Sequence, residues 1–331
     1  MAHLIETNAT TGRAEIAYAG KTPWHGLGQQ LTPDAPIEVW QREAGLNWEA
    51  KASPVFFESA RAREVDALSV EPVRVPIEGL FAVHRDDNDL PLGVVTDRYR
   101  IHQPGEILDF FDTLVKSAGF TLDVAGAIKG GKRIWALANV NREACVLGDD
   151  AVRGYLLLST GFDGATATVG QFTSIRVVCN NTLSAADSES SPSRFSMRHS
   201  MAFDASLMRD KLGLVVSGFD GMMDGYRRLA RESVSTQYVN TFLHQFYKPT
   251  VNEATGQLKE HRGFNKVMDL FEGRGMGADL SGARGTKWGL LNAMTQYIDH
   301  ERGRNVDSRL SSAWFGAGER QKREAESMLL S

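Results

Sequence analysis

The chain has 331 residues, 42% hydrophobic and 24% charged, with a formal net charge of −4. That composition excludes global disorder and a polybasic whole-molecule polymer binder. The charge is uneven: residues 1–150 hold 15 Lys and Arg against 22 Asp and Glu, and residues 151–331 hold 22 against 19, so an anion is better received by the second half or a local patch.

Residues 1–31 read as an irregular arm around Thr22-Pro23-Trp24-His25-Gly26, pinned to the body by Trp24. A helix follows, started at Thr32 to Pro36, with Ile37, Trp40 and Ala44 inward and Gly45 ending it. Between Leu46 and Thr96 the pattern is strand-like, at 55–57, 71–77, 80–85 and 92–96. The Asp-Asp-Asn-Asp run at 86–89 reads as a solvated turn, because it lacks the twelve-residue calcium-loop pattern.

Pro104 opens the clearest helix. Ile107, Phe110, Phe111, Leu114 and Ala118 share one face, and Gly119 sits where a left-handed cap belongs. Then come FTLDVAGAI, the Lys129-Gly130-Gly131 turn, KRIWALANV, and a third run at Tyr155 to Thr160. Phe162-Asp-Gly-Ala165 is a hairpin turn, and ATATVGQF returns. Sequential hairpins predict an antiparallel meander. Beyond it, Ile175, Val178, Leu183 and Ala186 suit a short helix capped by Ser174.

Residues 187–196 are Ser-rich and read as a loop, followed by the weakly alternating FSMRHSMAF. The rest reads as helical. One helix spans about 206–232 despite its glycines, one starts at Ser235, one is capped by Thr286, and a charged amphipathic one ends the chain. The Gly-rich 273–289 stretch reads as a linker. The expected organisation is an N-terminal arm, helix and β-rich region at 1–95, a central core at 96–203 and a helical region at 204–331. The fold class is α+β, a central antiparallel meander packed on helices.

No cofactor or metal site is expected. The Gly-rich stretch has Thr286-Lys287 in the wrong order for a phosphate loop. Its GxGxG lacks a preceding strand, and there is no HExxH or CxxC. With two cysteines and no apolar run of membrane-spanning length, a soluble cytoplasmic protein is the expectation. Cys179 is the one nucleophile candidate, with His102 or His199 as a conceivable partner. A buried, inert thiol is the commoner state of such a residue.

The more specific signal is basic. From Ala125 to Arg142 there is no acidic residue, and Lys129, Lys132 and Arg133 crowd a glycine turn with Trp135 next on the strand. Cations track phosphates and rings stack on bases, which is how single-stranded nucleic acid is held. The competing reading puts Trp135 in the core. Arg176, Arg194 and Arg198 are the next cations in line.

TPWHGLG, VTDRYRIHQP, GGKRIWALANV, LLLSTGFDG and RVVCNNTL, with WGLLNAMTQYIDHERGR and SAWFG toward the end, together resemble a family of phage- and plasmid-associated proteins of unknown function. The resemblance implies a bacterial mobile element and no known activity or catalytic residue. The architecture is similar to ring-forming single-strand annealing proteins. The expected function is therefore single-stranded nucleic-acid binding or annealing in recombination or replication, without a catalytic centre and as a homo-oligomer. A thiol-dependent enzyme and a regulatory or defence interaction module are the alternatives.

Overall fold

A computed structural model describes residues 7, 12–20, 28–66, 69–178, 181–184, 194–210, 218–251, 258–259, 261–303 and 306–331. The elements in order are β1 (Ile16–Ala19), β2 (Gln29–Leu31), α1 (Ile37–Glu43), β3 (Ala50–Asp66), β4 (Ser69–Arg85), β5 (Pro91–Thr96) and α2 (Pro104–Ala118). The meander follows: β6 (Thr121–Ile128), β7 (Arg133–Cys145), β8 (Ala151–Gly161), β9 (Thr168–Arg176), β10 (Asn181–Ser184) and β11 (Arg194–Met197). A helical segment at 205–210 precedes α3 (Phe219–Arg231) and α4 (Thr236–Tyr247). The short pair β12 (Thr250–Val251) and β13 (Leu258–Lys259) leads to α5 (Arg262–Asp269), α6 (Lys287–Gln296), α7 (Val306–Phe315) and α8 (Ala317–Leu330). The fold is α+β with helices gathered at the C-terminus.

The large sheet has the order β10-β9-β8-β7-β6-β1-β2, and β11 also pairs with β9. Strands β6 to β9 form the expected antiparallel meander. One edge of β9 is shared: β10 pairs along 173–176 and β11 along 168–171. A second sheet, β3-β4-β5, is built on a 17-residue ribbon.

Each face of the large sheet is covered, because alternate strand residues point to opposite sides. On one face Ile134, Ala136, Leu156, Leu158 and Phe172 join the main core with Ile107, Phe110, Phe111 and Leu114 of α2. On the other, Trp135, Leu137, Tyr155 and Leu157 meet Trp314 and Phe315 of α7. Helix α2 has its apolar stripe, Pro104 in its first turn, a Gln103–Glu106 capping box and Gly119 at φ 69°. Ala118, expected inward, is exposed.

Several expectations are corrected. The N-terminal stretch is not only an arm: β1 pairs antiparallel with β6 and extends the central sheet. Trp24 and His25 lie outside the described residues. The helix expected after Ser174 is a β9–β10 hairpin. The β-branched Ile175 favours the extended backbone of β9, Val177 and Val178 lie in the turn that follows it, and the Ser174 hydroxyl lies 3.4 Å from Tyr226 Oη instead of capping a helix. Arg194 to Ser196, expected in a loop, lie in β11. Helix α3 starts only at Phe219, and residues 211–217 lie outside the described residues.

The Gly-rich stretch is packed structure rather than a linker. Met276 N–H donates to Gln296 Oε1 at 2.9 Å, and a Cβ on Gly289 would stand 1.9 Å from the Ala283 carbonyl oxygen. Thr286 caps α6 as expected, accepting from Gly289 N–H at 3.1 Å. Helix α8 is charged, yet it buries Glu319, Lys322 and Glu326. Lys322 Nζ is 2.8 Å from Asp299 Oδ1.

Candidate nucleic-acid interface

The fold gathers most of the sequence-predicted cations at one end of the large sheet. The β6–β7 turn carries Lys129 and Lys132, both exposed, and Arg133 opens β7. Next to it lies the β8–β9 turn, where Phe162 N–H donates to the Lys132 carbonyl at 3.0 Å. Arg198 follows β11 at the same end, because Met197 pairs with Thr168, the first residue of β9. The segment between β5 and α2 completes the group. Tyr99 Oη donates to the Gly161 carbonyl at 2.9 Å, which places exposed Arg98 and Arg100 beside the others.

Glycines at the β6–β7 turn serve the fold. Gly131 has φ 89°, and a Cβ there would meet the Trp48 ring at 3.0 Å. The close backbone approach that this glycine permits is thus made to Trp48 and Arg85. Arg85 itself is buried and donates two hydrogen bonds to the Glu15 carboxylate, each 2.8 Å.

Register builds a cleft on the α7-covered face. Arg133 pairs with Gly161, Leu157 with Gln171, Ser159 with Val169, and β11 sets Arg194 beside Gln171 and Ser196 beside Val169. These side chains share one face. Trp314 and Phe315 at the end of α7 and Glu319 of α8 wall the space, about 320 Å³ in volume. The Arg133 guanidinium lies 4.6 Å from the Phe315 ring centroid and donates to Thr166 Oγ1 at 3.2 Å. Thr166 in turn donates to Asp163 at 2.9 Å. Burial holds the Arg133 guanidinium below its ordinary value; Asp163 opposes this and Arg194 adds to it. Burial works to raise the Asp163 carboxyl, but bonds from Ala165 N–H and from the Thr166 hydroxyl and N–H leave it below its ordinary value.

The remaining predicted residues lie apart. Trp135 is 2% exposed, edge-on to Trp314 at 4.9 Å, so its ring is a core ring and not a stacking platform. Arg176 is buried at the opposite end of the sheet. It donates to both Asp150 oxygens at 2.7 Å and to the Gly277 carbonyl at 3.0 Å. With Nη1 also 3.3 Å from the Met276 carbonyl, four of its five N–H groups are engaged, and the guanidinium is buried and neutralised rather than offered to a phosphate. Cys179 lies outside the described residues.

His102 and His199, its conceivable partners, are buried and stacked 4.2 Å apart. His102 Nε2 donates to the Met201 carbonyl at 2.9 Å and Nδ1 meets Thr168 Oγ1 at 2.6 Å. Thr168 meets Thr160 at 2.7 Å, Thr160 meets His199 Nε2 at 3.1 Å, and His199 Nδ1 donates to the Arg100 carbonyl at 2.8 Å. Both ends of this row are carbonyls, which only accept. Two neutral imidazoles and two hydroxyls carry four protons for the five contacts, so one contact is unfilled. A further proton would fill it, a gain of about 1 kcal/mol, whereas a buried charge lacking a close partner costs several. Burial wins: both rings titrate below their ordinary value, His199 at about 4.

Sequence reasoning missed Arg98, Arg100, Gln171, Trp314 and Phe315. The two arginines of VTDRYR and the aromatic pair of SAWFG were visible signals, but nothing local says they meet the β6–β7 turn. Among the described residues no group of three or more His, Cys, Asp or Glu could hold a metal ion.

The family model described as Domain of unknown function (DUF932) matches residues 91–314, more than half of the chain. The chain belongs to this family. The DUF932 match runs from β5 to Trp314, so it includes Arg133, Arg194 and one aromatic wall of the cleft. No curated protein and no solved structure matches the chain.

Proposed function

We propose that this DUF932 protein binds single-stranded nucleic acid at the basic end of its large sheet, in the recombination or replication of a phage or plasmid within a bacterial cytoplasm. One observation carries the reading. Lys129, Lys132, Arg133, Arg194 and Arg198 come from separate chain segments and converge on one end, where Arg98 and Arg100 join them. Such a cluster attracts a polyanion, and the aromatic-walled cleft beside it supplies ring surface for bases. No helix among the described residues is long and apolar enough to cross a membrane. The proposal requires no catalytic step. The thiol alternative is weakened because both nitrogens of His102 and of His199 are engaged within the buried row.

Self-association is part of the proposal. The β3–β4 ribbon exposes Phe56 and Phe57, each about half accessible, and a two-stranded ribbon is marginal without further contacts. A second copy covering the ribbon would remove that surface from water.

The test is fluorescence anisotropy with a labelled single-stranded oligonucleotide, with light scattering on the same sample. Binding that weakens steeply as salt rises, by a particle larger than one chain, is the expected result. Failure to bind at low salt would remove the nucleic-acid reading, and a monomer with or without ligand would remove the assembly.

A further inference from the structure

We infer that the cleft between β7, β9, β11 and the end of α7 is a pocket for one nucleoside phosphate. The phosphate lies with Arg133 and Arg194, and the ring lies against Trp314 and Phe315. Four features of the cleft support this.

First, neither guanidinium of the cleft is directly paired with a carboxylate; Asp163 reaches Arg133 only through Thr166. Arg133 and Arg194 both line the cleft, and among the described residues neither has a carboxylate within ion-pair distance. An arginine cannot shed its proton, so the partly desolvated Arg133 guanidinium is costly until an anion arrives, while the exposed Arg194 adds a second positive charge beside it. The one carboxylate in the lining, Glu319, is engaged by Arg323 and by Gln171 Nε2 at 3.3 Å. Second, the aromatic wall is fixed. Trp314 is held edge-on by buried Trp135, and Phe315 already stacks on the Arg133 guanidinium. A planar ring entering there meets preset surfaces, at little conformational cost.

Third, the floor is polar where a base edge or sugar hydroxyl needs partners: Ser159, Gln171 and Ser196 are hydroxyls and an amide on the same face. Fourth, the volume of about 320 Å³ is at the scale of small-ligand sites. Inorganic phosphate alone would leave the rings and the floor unused. A nucleoside alone would leave both guanidiniums unpaired. A nucleoside phosphate uses all three.

The ligand has two sources, a free nucleotide or one nucleotide of a bound strand. The second rests on the function proposed above. Calorimetry with adenosine and thymidine monophosphates, the two nucleosides and inorganic phosphate tests the pocket. An oligonucleotide arm separates the sources. At least one monophosphate should bind about tenfold or more tighter than its nucleoside or phosphate. Arg194→Ala removes an exposed side chain and should weaken that binding about tenfold with an unchanged melting curve. Ser196→Trp, from an exposed strand position, should block it.

Phosphate binding as tightly as both monophosphates would reduce the cleft to an anion patch and overturn the inference. So would monophosphate binding that survives both substitutions, or none at millimolar ligand. Should Ser196→Trp not fold, Arg194→Ala alone decides. Strand binding without monophosphate binding would sink the pocket and spare the interface. Monophosphate binding without strand binding would do the reverse and leave a free-nucleotide site.

Discussion

Arg133 and Arg176 stand at opposite ends of the same sheet, and their surroundings differ in one respect that decides what each does. Arg176 is 1% exposed and meets a fully buried carboxylate, Asp150, in a two-pronged bond. Asp150 also accepts from Trp288 Nε1 at 2.8 Å, so one carboxylate ties β8, β9 and α6 together. Arg133 has a hydroxyl and a phenyl ring instead. A neutralised arginine at one end is a structural tie, while an arginine lacking a carboxylate, among others like it, is a receiving surface.

The largest effect should come from breaking the neutralised end. Asp150→Ala leaves Arg176 buried without its counter-charge and Trp288 without its acceptor. A loss of roughly 3–5 kcal/mol is expected, the usual cost of removing one partner of a buried pair. Arg133→Ala should cost less than about 1 kcal/mol, since among the described residues its guanidinium hydrogen-bonds one partly exposed threonine hydroxyl. Urea denaturation of both variants checks the contrast, and equal losses would erase it.

Trp135 and Phe110 test the two faces between those ends. Both are 2% exposed, one against α7 and one against the opposite core. Each change to Ala should cost roughly 3–5 kcal/mol. Trp135→Ala should also weaken ligand binding, because Trp314 loses the ring that orients it. A Trp135 variant with parental stability would put that ring back on the surface.

How much of this was legible depends on the range of the interaction. Helix α2, the meander and the Thr286 cap were readable because each rests on signals within about 15 residues: a 3.6-residue stripe, an Asp-Gly turn, a hydroxyl before a helix. The β9–β10 hairpin was misread because Ser174 looks like a cap, and its actual neighbour, Tyr226, lies 52 residues away. The basic turn was legible as charge. Its division into Lys129 and Lys132 outside, Arg133 in the cleft and Trp135 in the core was not, because α7, some 180 residues later, covers that face. Arg176 looked like a surface cation for the same reason: its partner Asp150 is across a strand.

The basic end also carries a pH dependence, set by the buried His102 and His199. His199 is held at about 4 by burial, with neighbouring His102 lowering it further and the Arg100 carbonyl and Asp163 opposing. His102 is lowered by burial against the Met201 carbonyl and Glu106. Unfolded histidines take up protons near pH 6.5, so on acidification the unfolded chain gains them first. The contribution of the neutral rings is complete above about 6.5 and is lost as pH falls toward 4. For His199 that is on the order of 3 kcal/mol. Urea midpoints across this window should fall, and His199→Gln should flatten the fall. A parental midpoint that stays level would show the row accepts a proton freely.

The smallest effect on stability, and the sharpest on binding, is expected for the turn. Lys129 and Lys132 are exposed and make no ion pair among the described residues. Changing both to Ala should leave the melting curve in place. If both side chains contact phosphates, each contact releases counterions, and the slope of log affinity against log salt is about −0.7 per phosphate on a single strand. The double variant should therefore flatten that slope by about 1.4 and weaken binding to every sequence alike. Adding Arg133→Ala should flatten it to about 2 in total and also remove contact with the cleft. Arg176, already neutralised, cannot contribute to the slope, so any folded variant there must keep the parental value. A Lys129 and Lys132 variant with parental affinity and slope would move the contact to Arg98, Arg100 and Arg198 across the same end, while a changed slope in a folded Arg176 variant would break the comparison between the two arginines.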